Sequence, residues 1–263
     1  MARKRFKHGA SQKRMLLASV FFGLAASLPC AAKEAPVETL NLAAADWCPY
    51  SCASPSQPGF IAEALQEILR LNGIELTVTV LPWSRAIKEA ELGYYDGLLT
   101  AVESEAPDFL LTNTSTGSYE ICVYGNPERP FTYKQREDLE GKTLGVIQDY
   151  SYGDPIDSLV NAPRENEQVY SVSSSKPLNS LVEMVLRGRI DAFAEDRNVL
   201  SYFQKANNTD KVTSMGCLQH VEFFTAISPA HPKSSELRDF LNKVLSSKDY
   251  LVIRLEAQQR YGL

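Results

Sequence analysis

The feature that most restricts the fold is an alternation of short apolar runs with amphipathic helical patterns, repeated twice along the chain. Residues 40–45 read as a buried strand, and Phe60, Ile61, Ala64, Leu65, Ile68 and Leu69 follow at helical spacing up to Asn72-Gly73. Residues 75–81 alternate as a strand, Pro82 opens a helix that Gly93 ends, and 96–101 form a third short strand. A second set has strands at 143–147, 168–172 and 190–194. Helices are expected after Gly153, over the Leu178, Leu181, Val182, Val185, Leu186 stripe closed by Gly188, and at 198–205. Two such sets in series predict an α/β protein with two parallel-rich sheets. The β-rich segments 118–124 and 221–227 are expected to cross between the halves, and helices over 233–262 to return to the first.

The N-terminus sets the compartment. Arg3, Lys4, Arg5, Lys7, Lys13 and Arg14 precede an uncharged apolar run over 15–28, and small residues close it at Cys30-Ala31-Ala32. That order is the signature of a secretory signal peptide, and the run is shorter than the roughly 20 residues a membrane span needs. A lipoprotein cleavage at Cys30 is disfavoured by Pro29 before it. The expectation is a leader over 1–32, cleaved near Ala32, and a periplasmic product. The chain has 27 Lys and Arg against 32 Asp and Glu; the leader takes six bases and no acids, so the remainder carries 21 against 32, net −11. Such a surface repels nucleic acid and anionic membrane, and neither is expected as a partner.

Four cysteines follow the leader: Cys48, Cys52, Cys122 and Cys217. In an oxidising compartment an even count implies two disulfides, with three pairings open. Cys48 and Cys52 are close enough to close a small loop, which leaves Cys122 with Cys217. Only His220 and His231 remain after the leader, without metal-ligand spacing to a cysteine pair, so no metal or cofactor is expected.

Four stretches now carry a resemblance: Asp46-Trp47-Cys48-Pro49-Tyr50, Pro82-Trp83-Ser84-Arg85-Ala86, residues 138–146 (DLEGKTLGV) and residues 188–196 (GRIDAFAED). In this order and spacing the chain resembles the periplasmic solute-binding proteins of family 3, which include amino-acid receptors of ABC transporters. The resemblance covers nearly the whole chain after the leader. It implies a two-lobed type II periplasmic-binding-protein fold with a central cleft and two crossing strands. Lobe 1 is expected over 33–121 with 226–263, and lobe 2 over 122–225. It also implies closure around a small-molecule ligand, a membrane permease as partner, and a monomer.

Ligands in open α/β sheets bind beyond the carboxyl ends of strands, so the following loops supply the candidate site. Trp47 and Tyr50 offer aromatic surface after the first strand; Trp83 and Arg85 follow the second, with Arg85 able to fork onto a carboxylate. Thr100 and Glu103 follow the third. Tyr150, Ser151 and Tyr152 lie between a strand and a helix start, where backbone N–H groups suit an anionic group. Asp196 matches the position at which the family's amino-acid receptors hold the ligand's ammonium; it is also placed to cap the next helix. One departure matters. Family members that bind amino acids have an Arg after the third strand for the α-carboxylate, whereas residues 102–109 read VESEAPDF. Tight binding of ordinary α-amino acids is therefore not expected.

The expected function is capture of a small polar molecule without chemistry. The resemblance leaves two alternatives. One is a cyclohexadienyl-dehydratase-like lyase, for which Glu103, Glu195 or Asp196 would supply the acid. The other is a ligand-reporting subunit of a membrane sensor. A fused murein-cleaving domain is not expected.

Overall fold

The computed structural model describes residues 38–162, 168–174, 176–209 and 211–263. The expected leader and its cleavage point lie outside them. Strand β1 (Glu38–Ala44) is followed by α1 (Phe60–Leu71), β2 (Ile74–Val80), α2 (Trp83–Glu91) and β3 (Gly97–Ala101). A two-residue strand β4 (Leu110–Leu111) and the long β5 (Gly117–Gly125) come next. The second set is β6 (Leu144–Ile147), α3 (Ile156–Val160), β7 (Val169–Val172), α4 (Pro177–Leu186), β8 (Ala192–Asp196) and α5 (Arg197–Ala206). Strand β9 (Thr213–Ile227), α6 (Ser234–Leu245) and α7 (Lys248–Arg260) complete the order.

The expected alternation is therefore present, with both parallel cores: β1 pairs with β2 and β3, and β6 pairs with β7 and β8, all parallel. The two sheets are joined. Antiparallel pairing of β3 with β9, β9 with β5 and β5 with β8 makes one path, β2-β1-β3-β9-β5-β8-β6-β7. Strand β9 starts eight residues earlier than the 221–227 segment suggested. Its first part carries Gly216, Gln219 and His220, which lack a strand's apolar alternation, and its pairing along β5 from Gly125 to Gly117 makes it a strand. Strand β4 and a single 3-10 turn over Arg136–Leu139 have no periodic signal at that length and were not expected.

Local chemistry accounts for the helices. In α1, Phe60, Ile61, Leu65, Ile68 and Leu69 are buried on one face. Each large side chain contributes roughly 1.5–3 kcal/mol through burial. Gly73, Gly93 and Gly188 follow the helices they were expected to end, with φ of 78, 82 and 65°. Gly59, before α1, has φ 100°, and a Cβ there would lie 2.4 Å from the Tyr50 carbonyl oxygen, so only glycine fits against the 47–52 loop.

Helix α7 packs on α1, as the expected return to the first half requires. The Tyr261 hydroxyl accepts from the Gly59 N–H at 2.8 Å and donates to Glu63 at 2.7 Å. Arg260 also reaches Glu63 at 2.9 Å, but this exposed pair adds little. Tyr261→Phe is expected to cost about 1–2 kcal/mol by orphaning the Gly59 N–H. Urea titration checks this; an unchanged midpoint would remove the hydroxyl from the account.

Candidate functional site

The β1–α1 loop is a compact turn. Trp47 N–H donates to the Ser51 carbonyl at 2.7 Å, the Ser51 hydroxyl donates to the Ala45 carbonyl at 2.8 Å, and Cys48 and Cys52 form one disulfide. The turn sets Trp47 on Tyr50, with ring centroids 4.2 Å apart, and edge-on to Tyr119 and Phe223. Trp47 is half-buried and lines a cavity, whereas Tyr50 is buried and serves as a brace. The Tyr50 hydroxyl donates to Asp196 at 3.1 Å and accepts from the Asn198 amide at 2.9 Å. The second disulfide joins Cys122 and Cys217, which face each other across β5 and β9. Both pairings are those expected.

After β2, Trp83 turns inward to the same cavity and lies edge-on to Tyr150 at 6.4 Å. Arg85 does not. It is exposed on α2 and bound to Glu89 at 2.6 Å, outside the cavity lining. Thr100, within β3 and not after it, lines the cavity; beyond the strand Glu103 is exposed and Glu105, two residues on, takes the inward position. The helical turn at 102–106 explains the choice: Glu105 and Ala106 N–H groups both donate to the Val102 carbonyl. The Glu105 carboxylate accepts from Ser151 N–H at 2.9 Å and Val102 N–H at 3.3 Å.

The β6–α3 loop supplies Tyr150, Ser151 and Tyr152, all lining the cavity. The N–H groups expected for an anionic ligand are already used within the protein. Ser151 N–H goes to Glu105, and Tyr152 and Gly153 N–H groups go to Asp157 at 2.7 and 3.0 Å. At the end of β8 the two acids divide. Asp196 is fully buried and accepts from Asn198 and Val199 N–H, each at 2.9 Å, as the N-cap of α5, and from Glu120 N–H at 2.9 Å. It is absent from the cavity wall. Glu195 is on that wall, with Oε1 accepting from Asp196 N–H at 2.8 Å and the Trp47 indole at 3.4 Å. Its Oε2 has no partner among the described residues.

Asp196→Ala is therefore expected to cost about 3 kcal/mol, since it removes a cap and orphans buried donors. Thermal or urea unfolding checks it, and Asp196→Asn should recover part of the loss. A variant as stable as the parent would contradict the capping role.

The cavity has a volume of about 40 Å³. Its wall is aromatic, from Trp47, Trp83, Tyr119, Tyr150, Tyr152 and Phe223, and its only carboxylic acids among the described residues are Glu105 and Glu195. Among the described residues lining it there is no Lys, Arg or His. Burial pushes the Glu105 carboxyl up to about 7 and the Glu195 carboxyl up to about 8, the latter with the neighbouring Asp196 charge adding to the rise. Trp83 Nε1 lies near enough to Glu105 to favour its ionised form, yet it is buried without a hydrogen bond of acceptable geometry. Two larger cavities adjoin. One of about 200 Å³ shares Trp83 and Tyr150, and one of about 260 Å³ shares Trp47, Tyr150 and Glu195.

No family model and no curated protein matches this chain. Solved structures do. Holo ArgBP from T. maritima is 21% identical over 82% of this chain and 94% of its own, with TM-score 0.64. The amino acid ABC transporter substrate-binding protein AbpA from Streptococcus pneumoniae, bound to L-arginine, is 15% identical over 85% and 95%, with TM-score 0.65. A histidine kinase sensor domain with similarity to periplasmic binding proteins is 16% identical over 83% and 95%, with TM-score 0.69. The chain has the two-lobed type II periplasmic-binding-protein fold. Within that fold, the carboxyl ends of β1, β3, β6 and β8 all contribute to the cavity wall, through Ala45, Val102, Ser151 and Glu195 or residues beside them. No helix among the described residues is long and apolar enough to cross a membrane.

Proposed function

We propose that this protein is an exported receptor that captures one small polar molecule between its lobes and delivers it to a membrane permease. The lobes are taken as 33–121 with 226–263, and 122–225, with the receptor acting as a monomer in the periplasm. The observation that carries the reading is the cavity itself, small and aromatic, with walls from both strand sets. Polar contacts reach across it: Trp47 to Glu195, and Ser151 to Ser104 and Glu105. A ligand seated there adds to these contacts and so favours this arrangement. The binding residues are Trp47, Trp83, Thr100, Tyr150, Ser151 and Tyr152, joined by Glu105 and Glu195. Ordinary α-amino acids lack a partner for their carboxylate here, because Arg85 is engaged with Glu89 on the outer face.

Native mass spectrometry of protein purified without refolding tests the reading, followed by titration of any co-purified molecule. Trp47→Ala should weaken binding by about 1–3 kcal/mol through the lost aromatic contact. A tightly bound molecule whose affinity ignores Trp47→Ala and Glu195→Gln would place the site elsewhere. The raised Glu105 and Glu195 carboxyls also suit a general acid, and turnover of prephenate or arogenate by the purified protein would favour the lyase reading instead.

A further inference from the structure

We infer, resting on the receptor reading above, that the molecule held in this cavity is a compact organic ammonium without a carboxylate, seated between Glu105 and Glu195 in the box of Trp47, Trp83 and Tyr150. The charge of the wall comes first. Its two carboxylic acids face no Lys, Arg or His among the described residues of the lining. Glu195 Oε2 has no partner, so the wall offers an acceptor that nothing in the protein uses. A cation satisfies it and also gains from the aromatic faces around it, as in aromatic cages for quaternary ammonium groups.

An anionic group has no comparable place in this cavity; the exposed Lys176 lines only the adjoining one of about 260 Å³. The loop N–H groups of Ser151, Tyr152 and Gly153 are bound to Glu105 and Asp157, so a ligand carboxylate would have to displace the protein's own. It would also sit unpaired beside Glu105 in a poorly hydrated space. Space adds a limit. A volume of about 40 Å³ admits a head group of few atoms, and any longer tail must run into the two adjoining cavities. The Trp83 indole N–H, buried near Glu105 but without a hydrogen bond of acceptable geometry, is open to one neutral oxygen on the ligand. The Thr100 hydroxyl, also on the wall, makes no hydrogen bond with the described residues. An ammonium with a hydroxyl or carbonyl oxygen meets these demands together.

Proton linkage gives a second readout. The titratable groups around the two carboxyls are Asp46, Asp157, Asp196, Tyr50, Tyr119, Tyr150 and Tyr152, all acidic, and the exposed Lys176, which lines the adjoining cavity that shares Glu195. Both carboxyls are raised by burial, so a bound cation favours their ionised forms and expels protons. Affinity for a permanent cation should then rise with pH, by up to roughly tenfold per unit for each proton released.

The test is calorimetric titration of the full exported chain with tetramethylammonium, choline and ethanolamine. Matched controls are the uncharged carbon isostere of choline, and betaine, which adds a carboxylate to the same head group. The expected result is binding by at least one ammonium probe, tightening as pH rises through about 6 to 8, with no binding of the isostere. Betaine should bind at least about a hundredfold more weakly, and Glu195→Gln should weaken the ammonium probe by about tenfold or more at unchanged melting cooperativity. If Glu195→Gln fails to fold, Glu105→Gln gives the same readout. Failure of all three ammonium probes overturns the inference. So does equal binding of betaine, the isostere or a common amino acid, although in that case the receptor reading survives. If no molecule co-purifies and none in a broad metabolite screen shifts the melting temperature, both fall.

Discussion

Raising the pH of the ligand-free protein from about 5 to about 8 is expected to lower its unfolding free energy by several kcal/mol. Glu195 drives the change. Its carboxyl is almost wholly buried and lifted from an ordinary 4.5 to about 8, so the folded protein holds a proton that the unfolded chain has released. Stability is full below the unfolded value and falls as pH climbs to the folded one. At about 1.4 kcal/mol per unit, Glu195 alone accounts for about 4 kcal/mol across this window. Glu105, lifted to about 7, and Asp196, also raised by burial, change stability in the same direction. Urea titrations at the two pH values measure the slope, and Glu195→Gln should flatten most of it. A profile that is level or rises over this range, or is unaltered in Glu195→Gln, would mean that this carboxyl is ionised in the empty protein.

Replacing Cys122 and Cys217 together by alanine is expected to cost about 4–5 kcal/mol, the loop-entropy value for a closure of this length. The bond spans 95 residues, from β5 to β9, and so encloses β6, α3, β7, α4, β8 and α5. Breaking it frees the whole second strand–helix set in the unfolded chain. The Cys48–Cys52 bond spans only four residues and should cost about 2 kcal/mol on the same scale. Denaturant unfolding of the two double variants compares them directly. Equal losses, or a loss below about 1 kcal/mol for the long closure, would contradict the entropy argument.

Both predictions concern groups visible in the sequence, but they were visible to different degrees. The disulfides followed from cysteine number and spacing, because a bridge of four residues closes on itself wherever the chain goes. The strand–helix order followed from local periodicity, since burial of one helix face or a whole strand writes itself at fixed spacing. Trp47, Trp83, Thr100 and Tyr150 to Tyr152 were legible as well, as residues at or just beyond the carboxyl ends of strands in an α/β fold. They do line one cavity.

The roles of the acids were decided elsewhere. From sequence, Asp196 and Glu103 stood as the site carboxylates; in the fold, Asp196 is spent on the α5 N-cap and Glu103 faces solvent. Glu195 and Glu105 hold the inward positions, one and two residues away. Neighbouring side chains on a strand point to opposite faces and on a tight turn to different sides, so a shift of one residue exchanges a cap for a cavity wall. Arg85 likewise sat in the right loop but finds Glu89 one helical turn on, which no feature of its own loop ranks above a ligand. The sequence alone determined the order of the main strands and helices, the covalent closures and the loops that meet at the candidate site. Only the tertiary structure decided which carboxyls are desolvated and which backbone donors remain free, because both depend on what the second half of the chain brings against the first.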